Sequence, residues 1–141
     1  HIYAQPINEK KFGEVFYLTI PDSYKPIRHL VDGALMQYKH IEMPIFLYII
    51  DDSKEVMKLH DVEFVSIADY VQNYIEDKKA DKSMKSIRIG NVKPLVISGL
   101  PATSIEVFYK QDKVDMMRMV YLVETPGYFY EIAALSAGDI L

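Results

Sequence analysis

From Ala102 to Leu135 the chain is three strand-length apolar segments separated by two short turns, and that arrangement admits few folds. Ala102 to Tyr109 and Val114 to Glu124 flank Gln111-Asp112-Lys113, and Pro126-Gly127 leads into Tyr128 to Leu135. Connections this short join antiparallel neighbours, because a parallel pair needs a crossover of a dozen residues or more. The second half of the chain is therefore expected to be an antiparallel meander. Just upstream, Ile87 to Ile97 is extended but interrupted at Gly90-Asn91 and Pro94, which points to a turn or bulge rather than a clean central strand. Gly99-Leu100-Pro101 then turns the chain.

The first half mixes strands with a helix. Glu14 to Ile20 alternates, Phe16, Leu18 and Ile20 on one side and Val15, Tyr17 and Thr19 on the other, and stops at Pro21-Asp22-Ser23. Both sides are largely apolar, so each is expected to be covered. Ala34 to Ile41 and Pro44 to Ile50 read as two strands joined near Glu42-Met43, the second closed by a polar turn at Asp51-Asp52-Ser53. Ser66 is placed to cap a helix in which Ile67, Tyr70, Val71, Tyr74 and Ile75 recur on one face, with Asp69 three residues past the cap. The charged stretch Glu76 to Lys85 reads as the solvated end of that helix and a loop, and a further helical turn is expected near Glu55 to Lys58.

At 141 residues, with half of them hydrophobic and no cysteine, the chain is expected to be one domain, 1–141, that folds without disulfides or a thiolate metal site. A net charge of −4 with acids and bases interspersed offers no positive field for a nucleic-acid backbone. The longest apolar run, Ile45 to Ile50, is of strand length and far short of a membrane span. Ala4 before Gln5 has the small-residue character of a signal-peptide end, from which a periplasmic or secreted location is expected.

No catalytic or cofactor signature stands out. There is no GxSxG, HExxH, GxGxxG or GxxxxGK, and the six glycines are scattered. Of the four histidines, His1, His29, His40 and His60, none stands at helical spacing from another; the best metal-like grouping is His29 with Asp32, and two ligands do not make a metal site. Asp51, Asp52 and Ser53 carry oxygens of the kind calcium takes, but the same residues serve a turn. No enzyme activity, cofactor, metal or catalytic residue is therefore assigned from the sequence.

Aromatic residues are the more unusual feature, with 11 tyrosines, 6 phenylalanines and no tryptophan. On the strand Val114 to Glu124, Met117, Met119, Tyr121 and Val123 share one face, and Met116, Arg118, Val120 and Leu122 the other. Such residues form core beneath covering helices, or, if left open, a groove for a peptide or an apolar helix.

The order of these features resembles the PsbP-like superfamily, which takes in PsbP, Ran-binding Mog-type proteins and DcrB-type bacterial proteins. The resemblance is carried by Phe16-Tyr17-Leu18-Thr19-Ile20-Pro21-Asp22, the hairpin and amphipathic helix that follow, the turn Ser98-Gly99-Leu100-Pro101-Ala102, and the closing aromatic strand Tyr128-Phe129-Tyr130-Glu131-Ile132. It implies an α+β fold, a twisted antiparallel sheet of about six strands sandwiched by helices. Ser136 and Asp139 sit as a capping box for the last of those helices, cut short at Leu141. The resemblance also implies an accessory or protein-binding role, with another protein as partner, rather than shared chemistry. A chaperone for an apolar segment of a secreted or membrane protein, and a carrier of small molecules or lipid, are the alternatives.

Overall fold

The computed structural model describes the backbone of residues 2–8 and 15–138 and the side chains of residues 19–138. Strands β1 (Ile2–Asn8) and β2 (Val15–Pro21) form an antiparallel ribbon of their own, with Ile2 opposite Pro21 and Asn8 opposite Val15. The other strands are β3 (Tyr24–Pro26), β4 (Met36–His40), β5 (Ile45–Ser53), β6 (Lys85–Ile97), β7 (Leu100–Gln111), β8 (Val114–Glu124) and β9 (Tyr128–Ala137). They make one antiparallel sheet in the order β3-β4-β5-β9-β8-β7-β6. Helices α1 (Lys54–Leu59) and α2 (Ile67–Ala80) complete the described elements.

The expected meander is present as β7, β8 and β9, and the sequence explains its turns. Ser98 and Gly99 between β6 and β7, and Asp112 and Lys113 between β7 and β8, all have φ between 50° and 79°. Two consecutive residues at positive φ match the right-handed twist of the flanking strands. Gly99 takes that conformation freely, whereas Lys113 carries a side chain there. In β6 the pairing shifts register between Ile89 and Val92, across Gly90-Asn91, so the expected bulge is real. Pro94 is tolerated because β6 is the outermost strand.

The α2 cap forms as expected, the Asp69 N–H donating to Ser66 Oγ at 3.4 Å and the Val65 N–H to Asp69 Oδ2 at 3.3 Å. Tyr70, Val71 and Tyr74 are buried against the sheet, where they join Tyr48, Val107, Leu122 and Phe129. Each such apolar side chain removed from water contributes roughly 1.5–3 kcal/mol. Met57 of α1 packs on the same cluster, so both helices lie on one face. The second face carries a separate cluster of Ile20, Met36, Tyr38, Ile49, Tyr128 and Tyr130 and, among the described residues, no helix.

Several expectations are corrected. The sheet has seven strands rather than about six, the addition being three-residue β3, too short to show a period. Asp51-Asp52-Ser53 is not a turn: these residues pair with Tyr130, Phe129 and Tyr128 at the end of β5, and Ser53 caps α1 directly, its Oγ accepting from the Val56 N–H at 3.3 Å. Ser136 does not start a helix, because strands on both sides claim it: it lies opposite Ile45 and Met117, and β9 runs to Ala137 before Gly138 takes φ +76°. Asp139, the other half of that capping box, lies outside the described residues, as does His1.

Candidate functional site

The sheet face without a described helix presents two cross-strand rows. Alternation places Met36, Ile49, Ile132 and Tyr121 opposite one another along β4, β5, β9 and β8, and Tyr38, Leu47, Ala134 and Met119 in the next row. Ala134 is the small member, flanked by Leu47 and Met119, and the rows line an apolar depression of about 220 Å³ with Thr19 and Ile20 of β2 at one side. Leu47, Met119, Tyr121, Ile132 and Ala134 stay half-exposed there. Met117, Met119 and Tyr121 thus face away from the helices, as their spacing allowed, and Met116, Arg118, Val120 and Leu122 face toward them.

Beneath the helices lies a polar network that the periodicity alone does not announce. Glu131 of β9 is only 7% exposed, and its Oε2 accepts hydrogen bonds from the hydroxyls of Tyr48 on β5 and Tyr74 on α2, the latter at 2.7 Å. The Tyr70 hydroxyl donates to Asp52 Oδ2, and the Tyr70 ring stacks on Phe129 at 4.1 Å between centroids. Burial, reinforced by the neighbouring Glu131 charge, holds the Tyr48 and Tyr74 hydroxyls far above the ordinary phenol range; burial and the Asp52 hydrogen bond do the same for Tyr70. The Arg118 guanidinium stands 5.6 Å and 5.5 Å from the ring centres of Tyr48 and Tyr109 and donates from Nη2 to the Tyr109 hydroxyl at 3.1 Å. Its Nε is buried without a partner among the described residues. The signal that locates this network is parity: Glu131 alternates in phase with Phe129, Ala133 and Leu135, and a carboxylate in a core-facing position requires donors.

The residues considered from sequence as ligands are dispersed. His29 and Asp32 sit in the loop before β4, and no group of three or more His, Asp or Glu able to hold a metal ion occurs among the described residues. Asp52 is the acceptor for Tyr70. His40 has a structural task, its Nδ1 accepting from the N–H groups of Glu42 and Met43 at 3.1 Å each. No helix among the described residues is long and apolar enough to cross a membrane.

No family model and no curated protein matches the sequence. Solved structures do match. A cyanobacterial PsbP, CyanoP of Synechocystis, superimposes with a TM-score of 0.66 at 12% identity, over 96% of this chain and 81% of that one. A Pseudomonas aeruginosa protein of unknown function, a proposed regulator, matches with a TM-score of 0.52 at 12% identity, over 95% of this chain and 83% of that one. Identity this low speaks for architecture alone, and the architecture is clear: with its antiparallel sheet and its helices packed against it, this chain has the α+β, PsbP-like fold.

Proposed function

We propose that this domain is a non-catalytic, protein-binding accessory module of the bacterial cell envelope, and that the sheet face over β9 holds an apolar helix of a secreted or membrane protein. The observation that supports this reading is the depression at Ala134, between Leu47 and Met119 and bordered by Tyr38 and Tyr121. The backbone groups of β4, β5, β9 and β8 are engaged in ladders with their neighbours, so this face offers side chains only. An occupant must then satisfy its own backbone polar groups, which a helix does. Four strands about 4.8 Å apart give a width of about 14 Å, enough for one helix of about 10 Å diameter. Met and Tyr supply adaptable and amphipathic contacts. The envelope location is kept from the sequence reading of Ala4-Gln5, residues that in the fold lie within β1 opposite Thr19 and Leu18. A carrier role is less favoured, since 220 Å³ falls below the roughly 300 Å³ at which small-molecule pockets begin.

A photo-crosslinking residue in place of Met119, introduced in the native cell, tests the site. The expected product is one partner crosslinked through residues spaced three and four apart, lost when Ala134→Arg fills the depression. Crosslinks to an extended segment, or capture unchanged by Ala134→Arg, count against the reading. Fractionation of the native cells tests the location, with the protein expected in the envelope fraction.

A further inference from the structure

On the helix side, Asp52, Phe64, Tyr70, Tyr74, Lys78 and Glu131 line a second cavity of about 350 Å³ that opens to solvent. Its size is that of a small-ligand pocket, and it combines an apolar wall with a few converging polar groups. Phe64 stands edge-on to Tyr70 at 5.3 Å and to Phe129 at 6.0 Å, and together with Met57, Val62 and Tyr74 forms the apolar side. Glu131 forms the inner polar end. Its Oε2 is taken by Tyr48 and Tyr74, whereas Oε1 has no hydrogen-bond partner among the described residues, although the side chain is nine-tenths buried and lines the cavity. Asp52 lies at the same cavity, and Asp77 and Asn73 at its rim are joined at 3.3 Å. Neither Asp52 nor Glu131 has a lysine or arginine nitrogen within 4 Å among the described residues. Lys78, the basic residue of the lining, turns its Nζ over the Tyr74 ring at 4.9 Å.

We infer that this cavity binds a small organic cation, an ammonium group carried on a compact apolar or aromatic body. The ammonium meets the unused oxygen of Glu131 and the Asp52 carboxylate, and the body lies against Phe64, Tyr70 and Met57. A carboxylate can accept about four hydrogen bonds, so Glu131 has capacity beyond its two phenols. Aromatic faces add attraction for a partly desolvated cation. A bare metal ion suits the site poorly, because no group of three or more metal-binding side chains gathers among the described residues and a hard divalent ion takes six or more oxygens.

The test is calorimetric titration of the folded protein with phenethylammonium, with phenethyl alcohol and phenylacetate as neutral and anionic counterparts, and with calcium chloride alone. Saturable binding of the ammonium, weaker by about tenfold or more for the alcohol and absent for the carboxylate, is the expected result. Asp52→Asn and Phe64→Ala each weaken it by about tenfold, and because Phe64 is only half-buried that variant keeps its fold. Equal affinity for ammonium and alcohol, binding unchanged in both variants, tighter binding of calcium, or no ammonium binding up to millimolar concentration overturns the inference.

Discussion

Gly90 and Glu106 face each other across the outermost pair of strands with no room between them. A Cβ on Gly90 would stand 2.7 Å from Glu106 Oε1, the same oxygen that accepts the Asn91 N–H at 2.9 Å. Phe108 Cε2 at 3.0 Å closes the other escape. The glycine is therefore required by proximity to a neighbouring side chain, not by an unusual φ.

Gly90→Ala is expected to displace the Glu106 carboxylate, break its bond to Asn91 and cost about 1–2 kcal/mol. Adding Glu106→Ala removes the 2.7 Å contact and leaves those with Phe108 Cε2 and the residue-106 Cβ, so the double variant is expected to lose less than the sum of the single losses. Urea midpoints of the four proteins in this cycle check the coupling.

Tyr48 and Tyr74 share one acceptor, and that predicts non-additivity of the opposite sign. Tyr74→Phe alone leaves Glu131 Oε2 one donor and is expected to cost about 1.5–3 kcal/mol, the range for a hydrogen bond to a charged group. Tyr48→Phe with Tyr74→Phe strips that oxygen of both donors in a buried setting, so the pair is expected to cost more than the two added. Denaturant unfolding of the single and double variants decides it.

Alkaline pH is expected to unfold the domain through these phenols. The folded-state values of Tyr48, Tyr70 and Tyr74 lie above the unfolded phenol value of about 10, so the unfolded chain releases their protons first. Their contribution to stability is complete below that value and falls as pH rises past it. Absorbance titration near 295 nm is expected to show the Tyr48, Tyr70 and Tyr74 phenols withheld until the sheet opens, with the urea midpoint dropping over the same range. Retaining full stability well above the phenol range would contradict this.

Lys113 predicts a gain. It holds φ +68° in the two-residue turn after β7, a conformation in which a side chain crowds the following carbonyl. Lys113→Gly is expected to stabilise the domain by about 0.5–1 kcal/mol, read as a rise in melting temperature, because strain relief exceeds the added backbone entropy.

Local signals explain why much of this architecture was legible before any coordinates. Ser66 with Asp69 marked a helix start, Gly90-Asn91 and Pro94 marked a turn or bulge rather than a clean central strand, and the turns around Asp112 and Pro126 forced the meander. What stayed hidden depends on distant partners. Asp51 to Ser53 has turn composition, yet Tyr128 to Tyr130, more than seventy residues away, hold it in the sheet. Ser136 has cap composition, yet lies between two strands. β3 is too short to show a period. The face carrying Met119 and Tyr121 was visible as a stripe, but only strand order reveals that Ala134 forms a depression beside it. The bond from Tyr48 to Glu131 spans 83 residues, and no spacing rule reaches so far.

The two ends of the sheet bear on how the protein behaves in a crowded compartment. One end is β3, three residues closed by Pro26; the other is β6, bent by its bulge, deprived of an N–H at Pro94 and bearing Lys85 and Lys93. Neither offers a straight row of free amides on which a second copy could extend the sheet. Growth of copies into a continuous sheet, the route to fibres, is therefore blocked at both margins even where the broad face stays apolar.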